Sequence, residues 1–262
     1  MSGDKQLSEK FKPRFFIHSR EKYLPCEFST YLSGCSLWHR DQLILDEGRL
    51  TLFNISRKSL FGSMVDETKW RLKSSRKNYT HSPMELKNVC IYSTVNHFED
   101  NIAEVVYFYF FPYNSGYKVF GKTFGAHYAD IEHCTVRVER NIYTDEWERV
   151  GTYYAAHGSK WGQWDYSGRS PTVYIANGSH ASYPSAGTYG RIYGFANDHC
   201  DDGYEWCPKI EYVDDTHVLR RYYGTWGPDG VSNIARQPWF THGESSYNSN
   251  VVERLLLPCL LT

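Results

Sequence analysis

Four side chains able to bind a cation or move a proton, His127, Asp130, Glu132 and His133, fall within seven consecutive positions of this chain. On an extended strand, residues two apart face the same way, so Asp130 and Glu132 share one face and His133 takes the other. His127 arrives from the loop that precedes them. Two carboxylates and an imidazole suit a hard or borderline divalent cation: calcium, magnesium, manganese or zinc. A His and two acids in a solvated loop have the same spacing, so residue types alone leave both readings open.

The elements that must position this group lie in the stretch from Glu104 to Arg140, EVVYFYFFPYNSGYKVFGKTFGAHYADIEHCTVRVER. From Ile102 to Phe111, Val105, Tyr107, Tyr109 and Phe111 alternate with Val106, Phe108 and Phe110, so both faces are apolar. That pattern predicts a central strand covered on both sides. Pro112 and the turn formers Asn114, Ser115 and Gly116 end it. Ile131 to Val138 predicts the next strand, and Trp147 to Ala155 completes a hairpin through residues 140–146.

The rest of the chain reads as short strands separated by polar turns. PRFFIHS, LTLFNI (50–55), Trp70–Lys73, Val89–Val95 and TVYIA are strand-like. One short helix is expected in REKYLPCEFSTYLSGCSL, with Pro25 at its first position and Gly34 at its stop. The polar residues 1–12 are expected to be a flexible N-terminus. The fold class is therefore all-β: one β-sandwich domain over residues 13–262, with about nine or more strands and one or two short helices.

Composition narrows the function. Aromatic residues make up 17% of the chain, with 22 Tyr, 14 Phe and 8 Trp, which suits pleated surfaces and binding faces. The net charge of −1 gives no global field toward nucleic acid, so no nucleic-acid partner is expected. No apolar run has membrane-spanning length, and the N-terminal residues lack a signal-peptide core. Seven cysteines, an odd number without a CxxC pair, fit a reduced intracellular protein, cytoplasmic or peripheral to membranes. Cys200 and Cys207 are too weakly patterned to assign to a bridge or to zinc.

Two further loops carry candidate ligand contacts. AAHGSKWGQWDYSGRSP holds His157 beside Trp161, Trp164 and Tyr166, aromatics suited to stacking on a sugar, to insertion at a membrane surface, or to plugging the end of the sandwich. NGSHASYPSAGTYG holds His180. Asn197 and Asp198, in a later acidic loop, read as braces for backbone turns.

Several segments together resemble the vacuolar protein sorting-associated protein 62 family. They are EKYLP followed by YLS, FFPYN, DIEHCTVRV, YYAAHGS with a nearby GQW, VYIANGSHASYPSAGTY, Asn197-Asp198 with Gly203 and Trp206, and WGPDG with the later PWF. They span about residues 13–240, and GSHASYPSAGTY is the most specific. The family name implies a link to vacuolar trafficking.

The central strand also resembles, more remotely, the metal-binding strand of the necrosis- and ethylene-inducing-peptide-like proteins, β-sandwich cytolysins that bind sphingolipid head groups. Their pattern is His-any-His-Asp-Trp-Glu-His, and its first His, Asp and Glu hold a divalent cation. The resemblance implies His127, Asp130 and Glu132 as metal ligands, with His133 matching the last His. A further acidic ligand of that family falls near Asn114, here an amide, while Ala129 and Ile131 replace the second His and the Trp. Losing one carboxylate weakens binding of hard cations.

The sequence supports a non-enzymatic binding protein. It would recognise a lipid head group or glycan through a cation at His127, Asp130 and Glu132, with Asn114, His133, His157, Trp161, Trp164 and His180 contacting the ligand. A metal-dependent hydrolase is the alternative, with Glu132 or His133 as base, but no HExxH, nucleophile elbow or P-loop supports it. Self-association through the aromatic surface is a third possibility.

Overall fold

The doubly apolar run becomes the middle of a six-stranded sheet. In a computed structural model, which describes residues 3–55, 70–156, 162–191, 194, 196–214, 216, 217, 219 and 227, strand β6 spans Ile102–Asn114. It pairs antiparallel with β9, His127–Arg140, in one register from Ile102 opposite Glu139 to Asn114 opposite His127. Outside them lie β5 (Ile91–Glu99), β10 (Trp147–Tyr154) and β11 (Gln163–Asp165), and β17 (Ile210–Tyr212) joins β5 in parallel.

The predicted alternation sorts this sheet between two cores. Val105, Tyr107, Tyr109 and Phe111 pack with Cys134, Val136 and Val138 against Phe15, Ile17, Val173, Ile175 and Trp206. These last come from a four-stranded sheet ordered β13 (Ser182–Tyr183), β12 (Thr172–Ile175), β1 (Arg14–Ile17), β16 (Tyr204–Trp206). Val106, Phe108, Phe110 and Ile131 fill the opposite core with Phe28, Tyr31 and Leu32 of α2 (Phe28–Leu32). Leu37 of β2 (Cys35–His39) and Leu72 of β4 (Trp70–Ser74) close that side, in a small sheet completed by β3 (Gln42–Leu45). The architecture is the expected β-sandwich, with both faces of the central sheet covered. Two short ribbons, β7 (Tyr117–Val119) with β8 (Lys122–Phe124) and β14 (Gly187–Tyr189) with β15 (Asp198–Cys200), complete the described strands.

Three local expectations are corrected. Residues 3–10 are not frayed but form a helix, α1 (Gly3–Lys10), with Leu7 and Ser8 buried. The Tyr107 hydroxyl donates to the Ser8 carbonyl at 2.9 Å and Ser93 to the Ser8 hydroxyl at 2.9 Å. A buried serine in place of an apolar residue conceals the helix's inward face from any periodicity argument. Within the expected 50–55 strand, residues 52–55 are helical. The Asn54 amide N–H donates to Thr51 Oγ1 at 3.2 Å and the Thr51 N–H to Asn54 Oδ1 at 2.9 Å, a reciprocal cap that outweighs β-propensity. The predicted helix shrinks to Phe28–Leu32, leaving Pro25 outside and Cys35 to His39 in β2.

Candidate functional site

The site lies where β6 ends and β9 begins. The constant register sets Asn114 opposite His127 and Phe111 opposite Asp130, so Asp130 and Glu132 face the same side as Tyr109 and Phe111, as the alternation requires. Onto this end folds the turn Ala176–Ala181, closed by hydrogen bonds between the Ala176 and Ala181 backbone and from the His180 N–H to the Ala176 carbonyl. Gly178 has φ of +76°, and a Cβ there would collide with Ser115, whose N–H donates to the Gly178 carbonyl at 3.0 Å. His180 itself is held at φ of +60°, a conformation disfavoured for a side chain this size.

That turn drives the His180 ring into the interior. It is fully buried and stacks on Phe111 with centroids 3.7 Å apart and planes 6° from parallel. Its Nδ1 lies 2.8 Å from Asp130 Oδ2 and its Nε2 3.5 Å from Glu21 Oε2. Glu21, from the loop after β1, also accepts from the N–H of Gly178 at 2.6 Å and from those of Lys22 and Tyr23 at 2.8 Å. Asn114 donates to the same Asp130 oxygen at 2.8 Å, and His127 Nε2 sits 3.6 Å from the other.

Charges follow from this geometry. Burial alone would push Asp130 up, but His127, His180 and Asn114 hold it below the usual carboxylate range. Burial opposes Glu21 in the same way, and His180 with the backbone N–H groups brings it down. His180, despite its burial, is raised to about 9 by Glu21 and Asp130. It is an imidazolium clamped between two carboxylates.

A second cluster adjoins through Ser179. Asp198 is fully buried, accepting from Tyr117 and Tyr183 hydroxyls at 2.6 Å each and from Ser179, with Arg191 Nη1 at 3.6 Å. Asp198 thus binds side-chain hydroxyls of three elements, a larger role than the turn brace expected for it. Glu132 faces both clusters. It makes no hydrogen bond or ion pair with any described side chain, and burial together with Asp130 and Asp198 pushes its carboxyl well up, against Arg191.

Of the residues singled out in the sequence, Asn114, His127, Asp130, Glu132 and His180 come together. His133 does not join them. It points to the opposite face, with its ring 6.1 Å from that of Phe108 and 6.3 Å from that of Tyr153, and burial lowers it to about 4. Trp164 lies on that face too, stacked on Tyr166 at 5.7 Å and under the Arg137 guanidinium at 4.8 Å. His157 and Trp161 lie outside the described residues. The sequence reading missed Glu21, the first residue of EKYLP, and Tyr183, inside GSHASYPSAGTY, together with Arg191 and Tyr117, which lie in none of the segments that carry the family resemblance.

The donors do not fit a divalent cation as they stand. Asp130 Oδ2 is taken by His180 and Asn114, and at the position where the resembling family has a carboxylate, the Asn114 amide presents N–H donors. Among the described residues, no three His, Cys, Asp or Glu side chains are grouped to hold a metal ion. The positive charge beside Asp130 is His180's own, and Arg191 lies beside Asp198.

Comparison with known proteins supplies the affiliation. TDA6 of Saccharomyces cerevisiae, a protein named for vacuolar protein sorting, is 24% identical over 243 residues, covering 76% of this chain. That alignment covers 51% of TDA6, so the chain spans about half the length of the curated relative it matches. Similar solved structures include NLPPya in complex with glucosamine, at 12% identity and a TM-score of 0.44, covering 97% of this chain and 89% of that one. NLPPya with mannosamine gives 11% and 0.45 over the same shares. Necrosis and ethylene inducing protein 2 from the causal agent of cocoa's witches' broom disease gives 14% and 0.34, over 87% and 86%. No described helix is long and apolar enough to cross a membrane. The family model for vacuolar protein sorting-associated protein 62 matches residues 3–199, a range that holds α1, Glu21, the β6–β9 pair, the His180 turn and Asp198, and the chain belongs to that family.

Proposed function

We propose that this chain is a non-enzymatic binding protein that takes a glycan or lipid head group at the acidic cluster on the β6–β9 end. The observation that carries the reading is Glu132. Glu21, Asp130 and Asp198 are each satisfied by donors, while Glu132, packed beside two of them, has no hydrogen bond among the described residues. A carboxyl held among like charges without donors destabilises the fold, and such groups concentrate at functional sites. Raised toward its protonated form, it can both donate to and accept from a sugar hydroxyl, or ionise against an ammonium group. The Arg191 charge acts on it in the opposite sense. An intracellular or membrane-peripheral location, with a role in trafficking, belongs to the same reading.

The test is a glycan microarray and liposomes bearing glycosylated lipids, probed with the wild type and Glu132→Gln in buffer containing a chelator. The expected result is a wild-type hit that survives chelation and weakens at least ten-fold in the variant, while the variant melts no lower than the wild type. Equal binding by both proteins, or loss of the hit with chelator alone, would refute the reading.

A further inference from the structure

The end of the β6–β9 pair carries a second feature, on the face away from Asp130. Asn114 and His127 both reach Asp130, so Tyr113 and Tyr128, next to them on each strand, turn the other way. The regular alternation breaks at Ala129, a buried residue held at φ of +58°, where a side chain is strained. Tyr113 and Tyr128 pair across the strands and their rings meet edge to face, with centroids 5.1 Å apart and planes at 71°. Tyr23, from the loop after β1, adds a third ring 4.9 Å from Tyr113 and 68° from its plane. All three rings are half-buried, and their near-perpendicular planes make the walls of an open box.

A cation already stands at this box. Lys77 Nζ lies 4.1 Å from the Tyr113 ring centroid and 6.0 Å from that of Tyr128, within cation–π range. Tyr113 foremost, with Tyr128 and Tyr23, raises the Lys77 ammonium above its ordinary value. The occupant is loosely held all the same. Lys77 is exposed and makes no ion pair with a described residue. A strongly hydrated ammonium on a flexible four-carbon stem gives up rotamer freedom and water to sit on a ring, so an exposed contact of this kind is weak. The rings are positioned independently of it. Glu21 accepts from the Tyr23 N–H at 2.8 Å, and Thr80 Oγ1 donates to the Pro25 carbonyl at 2.7 Å, which ties the Lys77 loop to the Tyr23 loop. Lys22, beside Tyr23, is also exposed and without an ion pair among the described residues.

We propose that the Tyr23, Tyr113 and Tyr128 cage binds the quaternary ammonium of a choline phosphate, and that Lys77 is a displaceable occupant that swings out to meet the phosphate. A trimethylammonium group spreads its charge over apolar methyls, and an aromatic cage is the kind of site that recognises it. Two lysines without ion pairs, Lys77 and Lys22, border the rings, so the site suits a cation followed closely by an anion. That favours a choline phosphate over a methylated lysine side chain, which carries no such anion. None of the three rings belongs to the acidic cluster, so the inference stands whether or not Glu132 binds a ligand.

Ligand-observed NMR on the whole chain tests it, reading saturation transfer to the N-methyl protons of phosphocholine and of tetramethylammonium. Phosphoethanolamine, with a bare ammonium, should compete about ten-fold more weakly than phosphocholine. Tyr113→Leu and Tyr128→Leu should each weaken phosphocholine binding about ten-fold, while Tyr113→Phe, which keeps the ring face, should retain it. Lys77→Ser empties the cage. It should bind tetramethylammonium about three-fold more tightly than the wild type, with a narrower preference for phosphocholine over tetramethylammonium. A misfolded protein could not produce that gain. Flotation with phosphatidylcholine vesicles separates the two sources of this chemistry: binding there assigns the group to a bilayer, and binding of soluble phosphocholine alone assigns it to a free choline phosphate. The proposal would be overturned by no saturation transfer in wild type and Lys77→Ser alike, or by phosphoethanolamine competing equally. Tighter binding of a trimethyllysine peptide, equal binding by the Leu variants, a Phe variant as weak as the Leu variant, or no gain in Lys77→Ser would overturn it too.

Discussion

His180 and His133 are both buried against the central sheet, on opposite faces, and burial has opposite consequences for them. His133 lies among Phe108 and Tyr153 and is lowered to about 4, so it is neutral. His180 lies between Asp130 and Glu21, is raised to about 9, and carries a charge. Desolvation disfavours the charged form at both sites, and two carboxylates reverse the outcome at one. The His133 face repeats the lesson more mildly. There Glu104 is buried with Arg137, whose Nε donates to it at 3.1 Å, yet burial dominates and the carboxyl stays raised. One sheet thus separates a face where a buried imidazole is charged from a face where burial suppresses charge.

The contrast should break most sharply at His180. His180→Asn keeps a residue that tolerates the left-handed backbone but strands two buried acids, and should cost about 3–5 kcal/mol in urea unfolding. A loss below about 1 kcal/mol would mean that the two acids are not charged against it. The pH dependence should agree in sign. Because the folded value of about 9 exceeds the ordinary 6.5, the His180 contribution is complete below pH 6.5 and disappears as pH rises through 9. The expected decline is about 3 kcal/mol across that window, and in His180→Asn this part of the decline should vanish. Arg137→Met on the other face should cost less, about 2 kcal/mol, because a carboxyl already raised by burial protonates readily. Glu132→Gln should have the smallest effect and the opposite sign, a gain of about 1 kcal/mol from removing one of three neighbouring acids. Elemental analysis sharpens the same point: protein purified without added metal should carry no stoichiometric divalent cation, since His180 already neutralises Asp130.

The legible parts of this molecule are those in which periodicity and packing agree. The alternation around Tyr107 and Phe108 assigns each side chain to the core it occupies, because a strand covered on both sides admits no other register. The His127–Asp130–Glu132 spacing names residues that the fold holds together where β9 begins. What spacing could not convey is the company those residues keep. Glu21 and His180 are 159 positions apart and meet only because β1 and β12 are parallel neighbours, which no local pattern encodes. His133, two positions beyond Ile131 on the same strand face, illustrates the converse, since proximity in sequence to Glu132 gives it the other side of the sheet. Helix α1 escaped notice because Ser8 is buried by hydrogen bonds instead of hydrophobic contact.

The placement of β1 also constrains how the protein is made. This strand, Arg14–Ile17, is interior to its sheet, with β12 on one side and β16 on the other, so its hydrogen-bonding partners end at Trp206. During synthesis at 5–20 residues per second, β1 waits on the order of ten to forty seconds for β16. Until then Phe15 and Ile17, fully buried in the finished fold, lack the strand that flanks them on one side and the Trp206 ring packed with them. Phe15 and Ile17, early in the chain, are therefore fully enclosed only once residues 204–206 have been made.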